Sequence, residues 1–113
     1  MATLTTHAVP HAGLVLASGD FVQAGSGGDK SAVGDGVVLI VKNGDSSAHT
    51  VTMATPGTVD SLAVADRAVA VAAGDTGYIP VLDEYRDPSD GLAHFTYDAT
   101  PSTLTVAVIR VAV

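Results

Sequence analysis

Twelve carboxylates, four histidines and one glycine-rich stretch are the groups through which this chain could do chemistry. The densest acidic segment is Asp83-Glu84-Tyr85-Arg86-Asp87-Pro88-Ser89-Asp90-Gly91, with four carboxylates in eight residues. Calcium takes six to eight oxygens, but this spacing does not fit the D-x-[DN]-x-[DN]-G loop. The segment reads instead as a solvated connection, with Asp-Pro-Ser-Asp-Gly forming a turn. His7 and His11 are four apart but lie on no helix, so they do not share a face as a metal pair requires. His49 and His94 fall in strands, where cross-strand or interface roles are the commoner reading. A three-histidine site would have to be assembled by the fold, or across subunits on a symmetry axis.

The stretch GSGGDKS, Gly25 to Ser31, has the look of a phosphate loop. That motif needs glycine directly before lysine, a strand before it and a helix after it. Here Asp29 precedes Lys30 and would repel phosphate. No serine sits in a G-x-S-x-G elbow. There is no cysteine, and no carboxylate pair stands in an apolar setting that would tune an acid–base couple. No catalytic, cofactor-binding or metal-ligating residue is therefore assigned, and the chain reads as a non-enzyme. Its five aromatics are Phe21, Tyr78, Tyr85, Phe95 and Tyr97. Phe95 and Tyr97 share a strand face and could offer a small sugar platform, although Phe95 reads more naturally as core.

The elements that must position these groups are short. Valine and threonine recur in brief runs punctuated by Gly, Asp, Asn, Ser and Pro, the pattern of an all-β sandwich or barrel. Strands are expected at 13–17, 37–43, 48–54, 68–72, 77–82, 92–98 and 103–111, with an extended N-terminal segment over 3–9. Residues 59–65 are left open as strand, loop or helical turn. The alanine-rich run after them alternates Val69 and Val71 against alanines, so it reads as strand. In VVLIVKNGD, Val37 to Asp45, five apolar residues precede Asn43-Gly44, whose type suits the positive φ of a hairpin turn. That hairpin would pair Val37–Val41 with the half-polar strand carrying His49, Val51 and Met53. The run itself reads as a central strand with one face in the core and the other covered by a loop, an arm or a neighbouring subunit. In TLTVAVIRV, Leu104, Val106 and Val108 alternate with Thr105, Ala107 and Ile109, so both faces are largely apolar. The apolar residues Val111 and Val113 suggest an end tucked into a sheet or an interface. The fold class is thus an all-β, antiparallel β-sandwich, jelly-roll or Ig-like. Residues 1–113 form a single domain, with a flexible arm over 1–12 and a flexible Gly-rich loop over 22–36.

Bulk composition narrows the function. A chain of 113 residues suits one domain and buries roughly 65% of its unfolded surface. The 47% of apolar residues are mainly alanine and valine, with 4% aromatics and no tryptophan. Small apolar side chains bury little area at about 25 cal/mol per Å². A thin core follows, and with it an expectation of oligomerisation or docking on a larger surface. Net charge is −7. Lys30, Lys42, Arg67, Arg86 and Arg110 are scattered, so the basic footprint of a nucleic-acid or anionic-membrane binder is missing. The N-terminus lacks the basic and apolar regions of a signal peptide, and no apolar run reaches the ~20 residues of a membrane helix. A soluble protein made in the cytoplasm is expected.

Four motifs carry a resemblance. They are L-x-V-K-N-G at Leu39 to Gly44, H-T-V-T-x-A-T-P at His49 to Pro56, L-A-V-A-D-R at Leu62 to Arg67, and T-V-A-V-I-R at Thr105 to Arg110. From about Gly36 onward the chain resembles small virion proteins of tailed bacteriophages that infect actinobacteria. The resemblance implies a β-sandwich that decorates the capsid exterior as a cement protein and stabilises the head. Its implied partners are the major capsid protein and its own copies, as a homotrimer. Neither nucleic acid, membrane nor a cofactor is implied. The alternative is a tail or head-fibre module, Ig-like or carbohydrate-binding, that mediates adhesion to the host surface.

Overall fold

The computed structural model describes residues 2–56, 58–59, 62–63 and 66–111. Twelve strands follow one another: β1 (Ala2–Thr3), β2 (Thr6–Val9), β3 (Val22–Gln23), β4 (Asp29–Ser31), β5 (Val37–Asn43), β6 (His49–Met53), β7 (Thr58–Val59), β8 (Leu62–Ala63), β9 (Arg67–Val71), β10 (Thr76–Pro80), β11 (Ala93–Tyr97) and β12 (Leu104–Val111). Two short 3-10 turns, Ser18–Asp20 and Asp83–Tyr85, complete the elements. The first sheet has the order β1-β4-β11-β6-β9, the second β10-β5-β12-β2 with β3 also on β12, and β7 and β8 form a separate ribbon. The ribbon occupies part of the stretch left open at 59–65; Asp60, Ser61, Val64 and Ala65 lie outside the described residues, as does Val113.

Apart from β1, β2 and the ribbon, eight strands remain. Numbered in chain order, they make sheets 1-8-3-6 and 2-7-4-5. That is the strand order of a jelly roll, so of the two sandwich types expected it is this one that forms. Its ladders are antiparallel. The N-terminal strands depart from the expected all-antiparallel pattern, because β1 pairs parallel with β4 and β2 parallel with β12. The segment expected as one extended piece over 3–9 breaks at Leu4 and Thr5 and touches both sheets.

Alternation sets the core. On β5, Val37, Leu39 and Val41 point inward and are buried. Leu104, Val106 and Val108 do the same on β12, beside β5. From the first sheet His49, Val51 and Met53 on β6 and Ala93 and Phe95 on β11 meet them. At about 25 cal/mol per Å² of apolar surface, this shared layer is the main favourable term.

Two expectations need correction. Val37–Asn43 forms with the expected bounds and is central, but Asn43-Gly44 is not a hairpin. β5 pairs with β10 and β12, whereas β6 belongs to the other sheet. Gly44 has no positive φ. The buried Asn43 side chain instead donates to Ser47 O and Val71 O, both at 2.9 Å, and accepts from the Asp45 amide at 3.0 Å. Its backbone N–H donates to Asp75 O and its carbonyl accepts from Gly74 N. One asparagine thereby fastens two crossings between sheets, 44–48 and 72–75.

Residues 13–17 form no strand. Leu14 and Leu16 do face one side and Val15 the other, so the alternation was real. The segment lies over a sheet face and not along a sheet edge, where a ladder would be available. The glycine-rich stretch 22–36 contains β3 and β4 with a tight turn between them. Gly27 and Gly28 take φ +94° and +98° there, a region open mainly to glycine. Gly36 is equally constrained: its φ is +78°, and a Cβ would collide with the Val111 carbonyl.

Candidate functional site

The acidic segment folds into consecutive turns. Asp87 Oδ1 accepts from the Ser89 amide and Asp90 Oδ1 from the Leu92 amide. Asp83 pairs with Arg86 at 2.8 Å, while Tyr85 drops into the core. Asp90 Oδ2 also faces His94 Nε2 at 2.8 Å and Lys30 Nζ at 3.3 Å, and Asp87 lies 3.8 Å from His94 Nδ1. The Leu92 amide first, then His94 and Lys30, bring Asp90 down to about 2. These partners are solvent-accessible, so the cluster is an exposed electrostatic clasp worth little on its own.

His49 is different, because its ring is buried. Nε2 meets Asp45 at 2.7 Å and Nδ1 meets Asp98 at 3.1 Å. A neutral imidazole can donate from only one nitrogen, so satisfying both carboxylates requires the imidazolium. The bond to Asp45 accordingly raises the His49 pKa, and burial opposes it. The same bond lowers Asp45. Desolvation works against the Asp98 carboxylate, yet bonds from the Thr50 backbone and His49 leave it below its ordinary value. Both histidines bond carboxylates and not a hydroxyl that either could activate. His7 stands in β2, and His11 in the exposed turn after it. Among the described residues, no three His, Asp or Glu side chains gather in a way that could hold a metal ion.

A carboxylate also organises the phosphate-loop lookalike. Asp29 is buried and accepts from the Gly25 amide at 2.9 Å and the Tyr97 hydroxyl at 2.7 Å. A Cβ on Gly25 would stand 2.7 Å from Asp29 Oδ1, so glycine is required for the approach. Burial and Asp29 together push the Tyr97 hydroxyl far above its ordinary pKa. This bond explains Gly25 and Asp29 as structure. The charge of Asp29 was legible in the sequence, but its partner, 68 residues away, was not. Phe95 is fully buried and meets Tyr97 edge-on at 6.1 Å, so the two do not form the exposed platform.

What remains is a surface. The outward positions of β5 and β10 are Val38, Ile40, Lys42, Thr76, Tyr78 and Pro80, and β12 adds Ala107 and Ile109 beside them. Residues 14–21 lie over part of this face, and Ile40 is 5% exposed beneath them. The cover comes from the chain itself, in the place where a loop, arm or neighbour was expected. It does not complete the burial, since Tyr78 stays 67% exposed, Leu14 40% and Val15 91%. Every large exposed hydrophobic among the described residues belongs to the second sheet or to a segment joined to it. Contiguous apolar surface of this kind marks interaction sites. Sequence alternation had marked Val38 and Ile40, but nothing local marked Leu14, Leu16 and Phe21 as their cover.

No known protein family, characterised protein or solved structure matches the chain.

Proposed function

We propose that this chain is a non-catalytic structural protein of a tailed-phage virion, a decoration subunit that docks on the outside of the head and stabilises it. The observation that carries the reading is the apolar outer face of the second sheet, with Tyr78, Leu14 and Val15 left exposed beside it. A chain of net charge −7 that keeps carboxylates off one sheet face has a surface suited to a partner. Docking would also add burial to a core built mainly of valine and leucine. The major capsid protein is the proposed partner, and a homotrimer the proposed unit that binds it. The adhesion alternative loses its aromatic platform, because Phe95 is in the core.

The test is direct. Purified chain is mixed with undecorated shells of the matching phage and sedimented, and its mass in solution is measured by light scattering. Saturable binding to shells by a trimer is the expected result. A monomer that leaves shells bare, or labelling confined to tails in intact particles, overturns it.

A further inference from the structure

The apolar face is not flat. Between residues 14–21 and the sheet runs an open groove of about 390 Å³, within the ~300–1,000 Å³ of ordinary ligand sites. Ile40, Ile109 and Val9 contribute to it from the strands, Leu14, Leu16 and Phe21 from the covering segment. Lys42 and Thr76 are cross-strand neighbours and also line it.

Lys42 gives the groove a chemical sense. Its ammonium lies 4.8 Å from the centre of the Phe21 ring, within cation–π range. Among the described residues no carboxylate pairs with it, although the chain holds twelve. Lys30 and Arg86, by contrast, have acidic partners. The outward positions of β5, β10 and the part of β12 beside them include no carboxylate either. An apolar trough with one unpaired cation complements an apolar group next to an anion.

We propose that this groove receives a partner polypeptide, with one large apolar side chain seated on Ile40 and Ile109 and a neighbouring carboxylate on Lys42. The proposal rests on the docking reading and specifies its chemistry. The covering segment suits the task. Among the described residues, the hydrogen bonds of residues 11–20 stay within 10–20, from Gly13 N to Pro10 O, from Asp20 N to Ala17 O and from Ala17 N to the Asp20 carboxylate. No hydrogen bond among the described residues ties the segment to the sheet, so no ladder must break for it to adjust to a guest.

Octanoate is the probe, an eight-carbon chain ending in a carboxylate. Octanol and octyltrimethylammonium serve as neutral and cationic controls, each titrated into isotope-labelled full-length chain. Saturable shifts at the amides of Ile40, Lys42 and Tyr78 with octanoate are expected, with weaker ones from octyltrimethylammonium. Lys42→Gln should weaken octanoate about two- to five-fold, the range of one exposed ion pair, and leave octanol unchanged. Equal binding of cation and anion, or shifts scattered away from the groove, overturns the proposal. Shell binding separates the two readings. If Tyr78→Asp abolishes it while Lys42→Glu and octanoate leave it intact, docking stands and the groove chemistry falls. If octanoate binds as expected but wild-type chain ignores shells, the groove chemistry stands and the shell reading falls. If octanoate instead dissociates a self-assembled oligomer, the guest is a second copy and the proposed partner is wrong.

Discussion

The two outer faces of the sandwich carry opposite chemistry. The first sheet turns Lys30, Thr50, Thr52, His94 and Thr96 outward, with Ala68 and Ala70 at its β9 edge. Lys30 and His94 share the Asp90 carboxylate there. The second sheet turns out Val38, Ile40, Tyr78, Ala107 and Ile109 and covers part of them with residues 14–21. Both inner faces contribute apolar residues to the shared core, so core formation alone would not require the difference. An outer face that is apolar and half-covered costs solubility, a cost that the proposed docking would offset.

Six substitutions and one titration can break or sharpen this contrast. The largest effect belongs to the inner side of β5. Leu39→Ala should lower unfolding stability by about 3 kcal/mol, measured by denaturant melts, because it opens a cavity in the shared core. Next comes docking: Tyr78→Asp should weaken shell binding about thirty-fold or more, while Thr96→Asp on the opposite face leaves binding unchanged. Equal losses would erase the contrast. Ile40→Ala, one residue from Leu39 and 5% exposed but facing outward, should cost about 2 kcal/mol, because the groove beside it is open and lets its surroundings relax. A cost equal to that of Leu39→Ala would make residues 14–21 a third layer of the core.

Protons give a further effect, located where the two sheets meet. His49 has its folded pKa raised above 6.5, so its contribution is fully present below that value and is lost as pH rises through the folded pKa. Asp45 and Asp98 have folded pKa values below 3.8, so their contribution is present above it and lost as pH falls through the depressed values. Melting temperature should therefore peak between about pH 4 and 6.5, and His49→Gln should flatten the alkaline side. An unchanged alkaline limb would show that the imidazolium is not held. The smallest effect is Thr52→Ala on the polar face, within about 0.5 kcal/mol.

Much of the fold was legible because burial leaves a period-two mark. The bounds of β5 follow from its unbroken apolar run and the Asn43-Gly44 that ends it, and the grouping of Leu104, Val106 and Val108 on one face of β12 follows from alternation. Asn43-Gly44 misled because the amide serves a partner 28 residues away, Val71, and local turn preference cannot see it. Residues 13–17 misled for a related reason: alternation reports which way side chains face, not whether the backbone finds an edge. The candidate site was half legible. Val38 and Ile40 stood out as a second apolar face, but Phe21 over Lys42 and the His49 clamp are contacts made only by the finished fold.

The jelly-roll order has a consequence for how the chain is made. β12 sits between β5 on one side and β2 and β3 on the other, with Val37 opposite Arg110. No strand of the second sheet pairs with its immediate successor. While residues 104–111 are still inside the ribosome, VVLIV has a bare edge and β2 and β3 have no ladder at all. Closing such distant pairings is slow, on the order of milliseconds to seconds, and during that interval the exposed edge can bind other nascent chains. The pairing of residues 104–111 is thus the event that turns a sticky intermediate into a completed sheet.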